Sequence, residues 1–433
     1  MSETIFGDRL YQARMLRQRK LTDLAALLEC SVPAMSKWEH SRTVDVSQAQ
    51  LSLLAETLRF SSRFFSMRPS PPLADNDLLF KAPKNMLKRE VGWLKEFVRL
   101  TSELLDWLDE RRHLPPVKIR LASRDGVDIR EAARELRIMF GLSEIAPIDH
   151  LTHPVERAGI VVVVRRRSFV DGGPWATLAA EQQLSGSGES EPDINERHEG
   201  CSTWVGEFRE RPLIVMRGVT TWEKTRWVLA HELGHLSMHA GRMPVSDEAE
   251  EEASRFASEL IAPIREIVRE LPRVVTLAAL LELKFKWGIS LAALIRHLHN
   301  NGAITDQRKK TLYAQLYTRR NPETGRSFGA TEPGWDRRAP ERPRLIAAWA
   351  QHITGSLVPE AISIASEVFP ADLLASILNE QRATSSAAQN RVAAQHAEGE
   401  VINLRPRNST AAAPSVRSWP PFRPAPDRTD GRS

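Results

Sequence analysis

Apolar residues recur at helical spacing in short bursts through the first part of the chain: Leu10, Ala13 and Leu16, then Leu24, Leu27 and Leu28, then Leu51, Leu54 and Leu58, with polar turns between. Residues three and four apart share a helix face, so the pattern predicts a bundle of about five short helices from Phe6 to Phe65. Arg68–Asp77 (RPSPPLADND) carries three prolines and little that can pack, and reads as a linker. Helical spacing returns over residues 86–112 (Leu87, Val91, Leu94, Phe97, Val98, Leu104, Leu105, Leu108) and over Ile129–Phe140, with Gly141 placed to stop the helix. Ile160–Val164 and Pro212–Met216 are aliphatic runs too short for helices and predict a small sheet, and Ser185–Pro192 between them reads as a flexible loop. Thr220 and Glu223 fit a capping box that opens a helix over about 221–240, ended by Gly241, and an acidic helix follows at Ser246–Ile261. Beyond Gly302 come a helix at Gln307–Arg319, a turn-rich segment with Pro322, Pro333, Pro340 and Pro343, and a last helical stretch from Leu345 to about Asn379. From Thr384 the chain is rich in Ala, Ser, Pro and Arg, too poor in large apolar residues to build a core, and is expected to be disordered.

These elements describe a multidomain, mainly α chain. An N-terminal five-helix bundle covers residues 1–67, a linker 68–79, an α+β domain with a small sheet 80–320, a turn-rich and helical region 321–383, and a disordered tail 384–433. A length of 433 residues exceeds what one ordinary core holds. No apolar run approaches the roughly 20 residues that span a bilayer, and the first residues lack the apolar stretch of a secretory signal, so a cytoplasmic location is expected. Only Cys30 and Cys201 are present, which leaves disulfide frameworks and cysteine-rich metal sites little material. A net charge of +5 permits nucleic-acid binding without deciding it.

The chemistry concentrates at residues 231–235, HELGH. His231 and His235 stand four apart on a helix, one turn above the other, where both imidazoles can reach one ion. Glu232, beside the first ligand, is placed to act as general base. Gly234 costs about 1 kcal/mol relative to alanine inside a helix, so something must come close there. The acidic helix offers a third ligand, and three protein ligands leave one position open for water, as a hydrolytic zinc site requires. Two histidines and a carboxylate favour Zn2+, while Mn2+ or Fe2+ suit the same donors. His239 extends the histidine face, either to steady an oxyanion or in a structural role.

Residues 24–42 (LAALLECSVPAMSKWEHSR) show a helix, a polar turn around Glu29–Ser31 and a second short helix from Val32 to about Glu39, with Ser31 as N-cap and Pro33 in the first turn. If the second helix enters a major groove, Pro33, Ala34, Ser36 and Lys37 meet the DNA while Met35 and Trp38 pack inward. Arg14, Arg17, Arg19 and Lys20 offer phosphate partners.

AHELGHLSMH followed by EEEASRFASELIAP resembles the ImmA/IrrE family of bacterial metallopeptidases. The resemblance runs on through ELRIMFGLSEIAPIDHLTHPVERAGIVVVV, RPLIVMRGVTTWEKTRWVLAHELGH and LLELKFKWGISLAALIRHLHNNGAI, over roughly residues 80–320. It implies a zincin-like peptidase domain with His231 and His235 as ligands and Glu232 as base. The implied third ligand is Glu250, three residues before Ala253 of an E-x-x-A-x-x-F-A pattern, with Glu251 as the alternate. Ser254 stands where the family pattern has Asn or Asp. The N-terminal segment resembles the XRE (Cro-type) helix-turn-helix family through LA, the S-x-x-x-M-S-x-W-E helix and LSLLAETLRFSSRFF; Glu29 replaces the usual turn glycine and Leu21 the usual polar opener of the second helix. Together the resemblances imply a DNA-binding transcriptional regulator carrying a zinc-dependent endopeptidase that cleaves a helix-turn-helix repressor or itself, the linker at 68–77 being the place for a self-cut. The alternative is a non-proteolytic transcription factor whose peptidase-like domain senses a metal or ligand. Double-stranded DNA and a repressor substrate are the expected partners, with no membrane and a homodimer left open.

Overall fold

A computed structural model describes residues 2–74, 77–79, 88–119, 128–165, 200–218, 220–239 and 246–378. The loop at Ser185–Pro192, Gly241 and the tail from Thr384 lie outside the described residues. The described part is mostly helical with small sheets.

Five helices fill residues 7–66: α1 (Gly7–Leu16), α2 (Leu21–Leu27), α3 (Val32–His40), α4 (Gln48–Leu58) and α5 (Ser62–Ser66). Serines start three of them: Ser31, Ser47 and Ser61 Oγ accept from the backbone N–H of Ala34 (3.3 Å), Gln50 (3.2 Å) and Phe64 (3.2 Å). A ribbon that the periodicity does not predict pairs β1 (Ser2–Ile5) antiparallel with β2 (Val44–Ser47). Strands of four residues are too short to display alternation. A Cβ on Gly7 would lie 2.0 Å from the Trp38 carbonyl oxygen, so the glycine is what lets α1 pack directly on the end of α3. Glu29, in the turn between α2 and α3, adopts φ +52°, the left-handed conformation that glycine takes without penalty.

Helix α6 (Lys88–Arg111) is buried without interruption from Glu96 to Leu105, as a helix enclosed on every side must be. Its polar residues are matched. Arg9, fully buried, donates to Glu103 (2.5 Å), Gln12 (2.7 Å) and the Met67 and Arg68 carbonyls (both 3.1 Å). Arg99 donates to Asp8 and the Ser70 carbonyl, while Ser70 N donates to Glu103 at 3.0 Å. The proline-containing stretch is therefore tied at Met67–Ser70 to buried charges, which are costly to leave unpaired.

After α7 (Ile129–Met139) and α8 (Thr152–Arg157), the strands β3 (Val161–Val164), β4 (Gly200–Val205) and β5 (Arg211–Met216) form a sheet of order β3-β5-β4. β3 runs parallel to β5 (Val162 opposite Ile214) and β4 antiparallel to it (Ser202 opposite Ile214). Alternation sends Val161, Val163, Leu213 and Val215 into a core shared with the N-terminal helices and α6, and Val162, Val164, Ile214 and Met216 into a second core. The second core is closed by α9 (Trp222–Gly234), a π-helical turn (His235–His239), α10 (Asp247–Ile261), α11 (Ile264–Glu270), α12 (Leu277–Trp287), α13 (Leu291–Asn300) and α14 (Asp306–Thr318).

The sequence predicts one helical stretch from Leu345 to about Asn379. The structure breaks it into α15 (Leu345–Thr354), α16 (Pro359–Ser366) and a helix at 371–378, because Gly355 and Glu367 end the first two in the left-handed conformation. These helices join the first core, where Arg17 donates to Asp372 at 2.5 Å and Trp107 packs edge-on against Phe369. Carboxylates tie the preceding segment to helix starts: Glu341 accepts from Leu151 N (2.7 Å) and Thr152 N (2.6 Å), Glu332 from Leu291 N (3.0 Å), and Glu156 from Arg344 N (2.9 Å) and Leu345 N (2.8 Å). Among the described residues no helix is long and apolar enough to cross a membrane.

Burial pushes the Glu156 carboxyl up to about 7 from an ordinary 4.5, against the pull of its two backbone donors. The folded chain thus keeps this proton where the unfolded chain has lost it. Its stabilising contribution is complete below pH 4.5, declines as pH rises to about 7, and is flat above, a change on the order of 3 kcal/mol. Glu156→Gln should remove that decline from urea unfolding curves recorded across the window; an unchanged slope would show that the carboxyl titrates normally.

Candidate metal centre

Thr221, not Thr220, caps α9: its Oγ1 accepts from Lys224 N at 3.2 Å, while Thr220 N donates to Thr225 Oγ1 at 3.1 Å. Glu223 closes no capping box; it is buried against Lys284 of α12, which neutralises it. Leu229, Leu233 and Leu236 anchor the helix in the second core. The helix does not stay regular to 240. Its last turn widens into the π-helix at His235–His239, where Ser237 Oγ donates to the Leu233 carbonyl at 2.7 Å.

Gly234 is where α10 comes closest. A Cβ there would stand 3.1 Å from the Phe256 ring and 3.2 Å from Ala253 Cα. That contact, with Ser246 capping α10 through Ala249 N (3.1 Å), brings the first turn of α10 opposite the histidines. Glu250 Oε2 lies 3.2 Å from His231 Nε2, Glu250 Oε1 3.6 Å from His235 Nε2, and the two Nε2 atoms 3.1 Å apart. The donor atoms of His231, His235 and Glu250 all lie within 4.8 Å of one another. Glu251 turns away and accepts from Asn300 Nδ2 at 3.0 Å.

The electrostatics fit a cation. Glu250 Oε1 and Glu232 Oε2 are buried and accept no hydrogen bond among the described residues. Burial lowers the His235 pKa to about 4, against the opposing pull of the nearby Glu250 carboxylate, so at neutral pH its ring carries a lone pair. Burial pushes Glu250 up, but the neighbouring His231 and His235 rings outweigh it and hold the carboxyl well below the usual range. Two imidazole nitrogens and a carboxylate oxygen at these separations suit a divalent metal with one coordination position to spare. Burial, the largest influence, raises Glu232 to about 7 against the pull of His231.

Several contributors are invisible to a motif search. Gly200 of β4 leaves room for Glu232, since a Cβ there would stand 2.8 Å from its Oε1. Trp227, one turn before His231, stacks on that ring with centroids 5.3 Å apart. Ser254 Oγ lies 3.5 Å from His231 Nδ1, and Glu252 Oε2 2.9 Å from His239 Nε2. His239 is buried with Nδ1 turned to His235 Nδ1 (2.9 Å) and Nε2 to Glu252. On the N-terminal bundle, Pro33 and Lys37 are exposed, Ala34 and Ser36 half-buried, and Met35 buried. Arg14 is engaged by Glu39 (2.6 and 2.9 Å) and Arg17 by Asp372, so both of these cations are held within the chain.

Residues 196–299 match the sequence profile of a peptidase family described as the IrrE N-terminal-like domain. The match spans β4, β5, α9, the π turn and α10 to α13, so every residue of the donor set falls inside it. Peptidases of this family are metal-dependent, which agrees with the His231, His235 and Glu250 cluster. No curated protein matches the chain.

The purified protein should carry about one divalent ion per chain, lost on His235→Ala. Equal metal in both proteins by elemental analysis would remove this centre.

Proposed function

We propose that the chain is a DNA-binding regulator carrying a zinc-dependent endopeptidase whose substrate is a helix-turn-helix repressor or the chain itself. The observation that carries the peptidase reading is the convergence of His231, His235 and Glu250 with Glu232 beside them, within the segment that matches a peptidase family. When bound, the metal ion would supply Lewis acidity to water and to the scissile carbonyl. Glu232 then takes a proton from the attacking water and passes it to the leaving amide nitrogen. Its buried position next to Gly200 keeps bulk water from competing for the carboxylate.

Self-cleavage has its own support. Leu79 N donates to the Ser202 carbonyl at 2.7 Å and Thr203 Oγ1 to the Asp77 carbonyl at 2.7 Å, so residues 77–79 lie antiparallel along the outer edge of β4, the strand whose Gly200 packs against Glu232. The DNA-binding reading rests on α2, the left-handed turn at Glu29 and α3 with its exposed Pro33 and Lys37. With Arg14 and Arg17 held internally, phosphate contact falls to Lys37, Arg19 and Lys20. The rival is a non-proteolytic transcription factor using the same pocket as a metal or ligand sensor. The long contact between Ser254 and His231 favours it.

Glu232→Gln should keep metal and DNA binding while lowering cleavage by about two to four orders of magnitude. Co-expression with helix-turn-helix repressors encoded nearby, and mass spectrometry of both proteins, checks this; persistent cleavage in the Gln variant overturns the mechanism, and none in either version supports the sensor. Lys37→Ala should weaken gel-shift binding to DNA upstream of the chain's own gene and reduce the salt slope by about one; unchanged binding would remove α3 from the DNA interface.

A further inference from the structure

Both histidines of the candidate centre offer Nε2 to the metal position, so each needs its proton on Nδ1. The two Nδ1 atoms are treated differently. That of His231 faces the Ser254 hydroxyl at 3.5 Å, the limit of a hydrogen bond. That of His235 lies 2.9 Å from His239 Nδ1, and His239 Nε2 lies 2.9 Å from Glu252 Oε2. The protonation pattern of this chain follows from its far end. An ionised carboxylate only accepts, so a neutral His239 carries its proton on Nε2 and leaves Nδ1 as an acceptor. His235 must then donate from Nδ1, which leaves a lone pair on Nε2 aimed at His231 and Glu250. His235 and His239 are both buried, so water does not replace the relay.

We propose that Glu252 and His239 are positioning residues that lock His235 in the metal-binding tautomer and orientation, resting on the reading of His231, His235 and Glu250 as ligands. Neither touches substrate. They act through His235 alone, and the two ligands differ in rigidity: His235 is fixed by a charge-backed relay and His231 by ring stacking on Trp227 and a weak hydroxyl contact.

The test is Zn2+ affinity of the full chain, measured by competition with a chromophoric chelator. His239→Phe keeps the ring volume and removes the acceptor, and should lose about 10–100-fold in affinity. His239→Asn, which restores an acceptor near Nδ1, should recover part of that loss, and Glu252→Gln, which keeps an acceptor without the charge, should lose less than His239→Phe. In the metal-free wild type, 15N NMR of labelled histidine should show His235 already protonated on Nδ1 and His239 on Nε2. Wild-type affinity in all three variants, or a proton on His235 Nε2, overturns the proposal. A wild-type chain that binds no Zn2+ instead overturns the ligand assignment beneath it. Should His239→Phe fail to fold, Glu252→Gln and the wild-type tautomers still decide.

Discussion

The candidate centre depends on how closely two helices touch. Gly234 stands between the two histidines' turns on α9, and Ala253 faces it from α10 with its Cα 3.2 Å from where a side chain on residue 234 would begin. Any larger residue at 234 would push α10 outward and carry Glu250 with it. Glycine inside a helix costs about 1 kcal/mol, a cost offset here by burial of Phe256, Ala257 and Leu260 in the second core, where α10 packs on α9 and α7. The distance from carboxylate to imidazoles is thus set by backbone contact, which is stiffer than any choice of rotamers.

That stiffness extends through the sheet. Three short strands are covered on both faces, and their alternate residues belong to different cores. The N-terminal helices, α6 and the C-terminal helices pack on one face, and the helices bearing the donor set on the other. The segments joining them are held by ion pairs and helix-start carboxylates instead of running free: Arg9 and Arg99 hold residues 67–70, and Glu341 and Glu156 hold the approach to α15. Because an unpaired charge at any of these places would be costly, the chain keeps these connections closed.

Helices were legible in the sequence wherever a full turn or more of apolar spacing ran uninterrupted, as in α1, α4, α6, α7 and α10. Strands were legible only when aliphatic. β3 is all valine and β5 carries Leu213, Ile214, Val215 and Met216 in a row, whereas β4 reads GCSTWV, and its buried Ser202 and Thr203 look like loop residues until their neighbours are known. The same limit hid Gly200, whose role is to make room for Glu232. Arg14 and Arg17 illustrate the converse. A run of cations on one helix is indistinguishable in sequence from a phosphate-binding face, and only the fold reveals that Glu39 and Asp372 hold them.

At the centre itself, HELGH was legible because helical spacing alone puts His231 and His235 on one face. The glutamates were harder. Glu250, Glu251 and Glu252 are consecutive, and successive side chains on a helix point about 100° apart, so one acidic run serves three directions. Glu250 turns to the histidine pair, Glu251 to Asn300 and Glu252 to His239. Composition cannot rank them, yet the rotation can once Ala253, Phe256, Ala257 and Leu260 are taken as the buried stripe. Glu250 falls three residues before Ala253 on that stripe, and Glu252 falls four before Phe256 on its other flank. The shared periodicity that packs α10 on α9 therefore also separates the carboxylate that faces the metal position from the one that stands behind it.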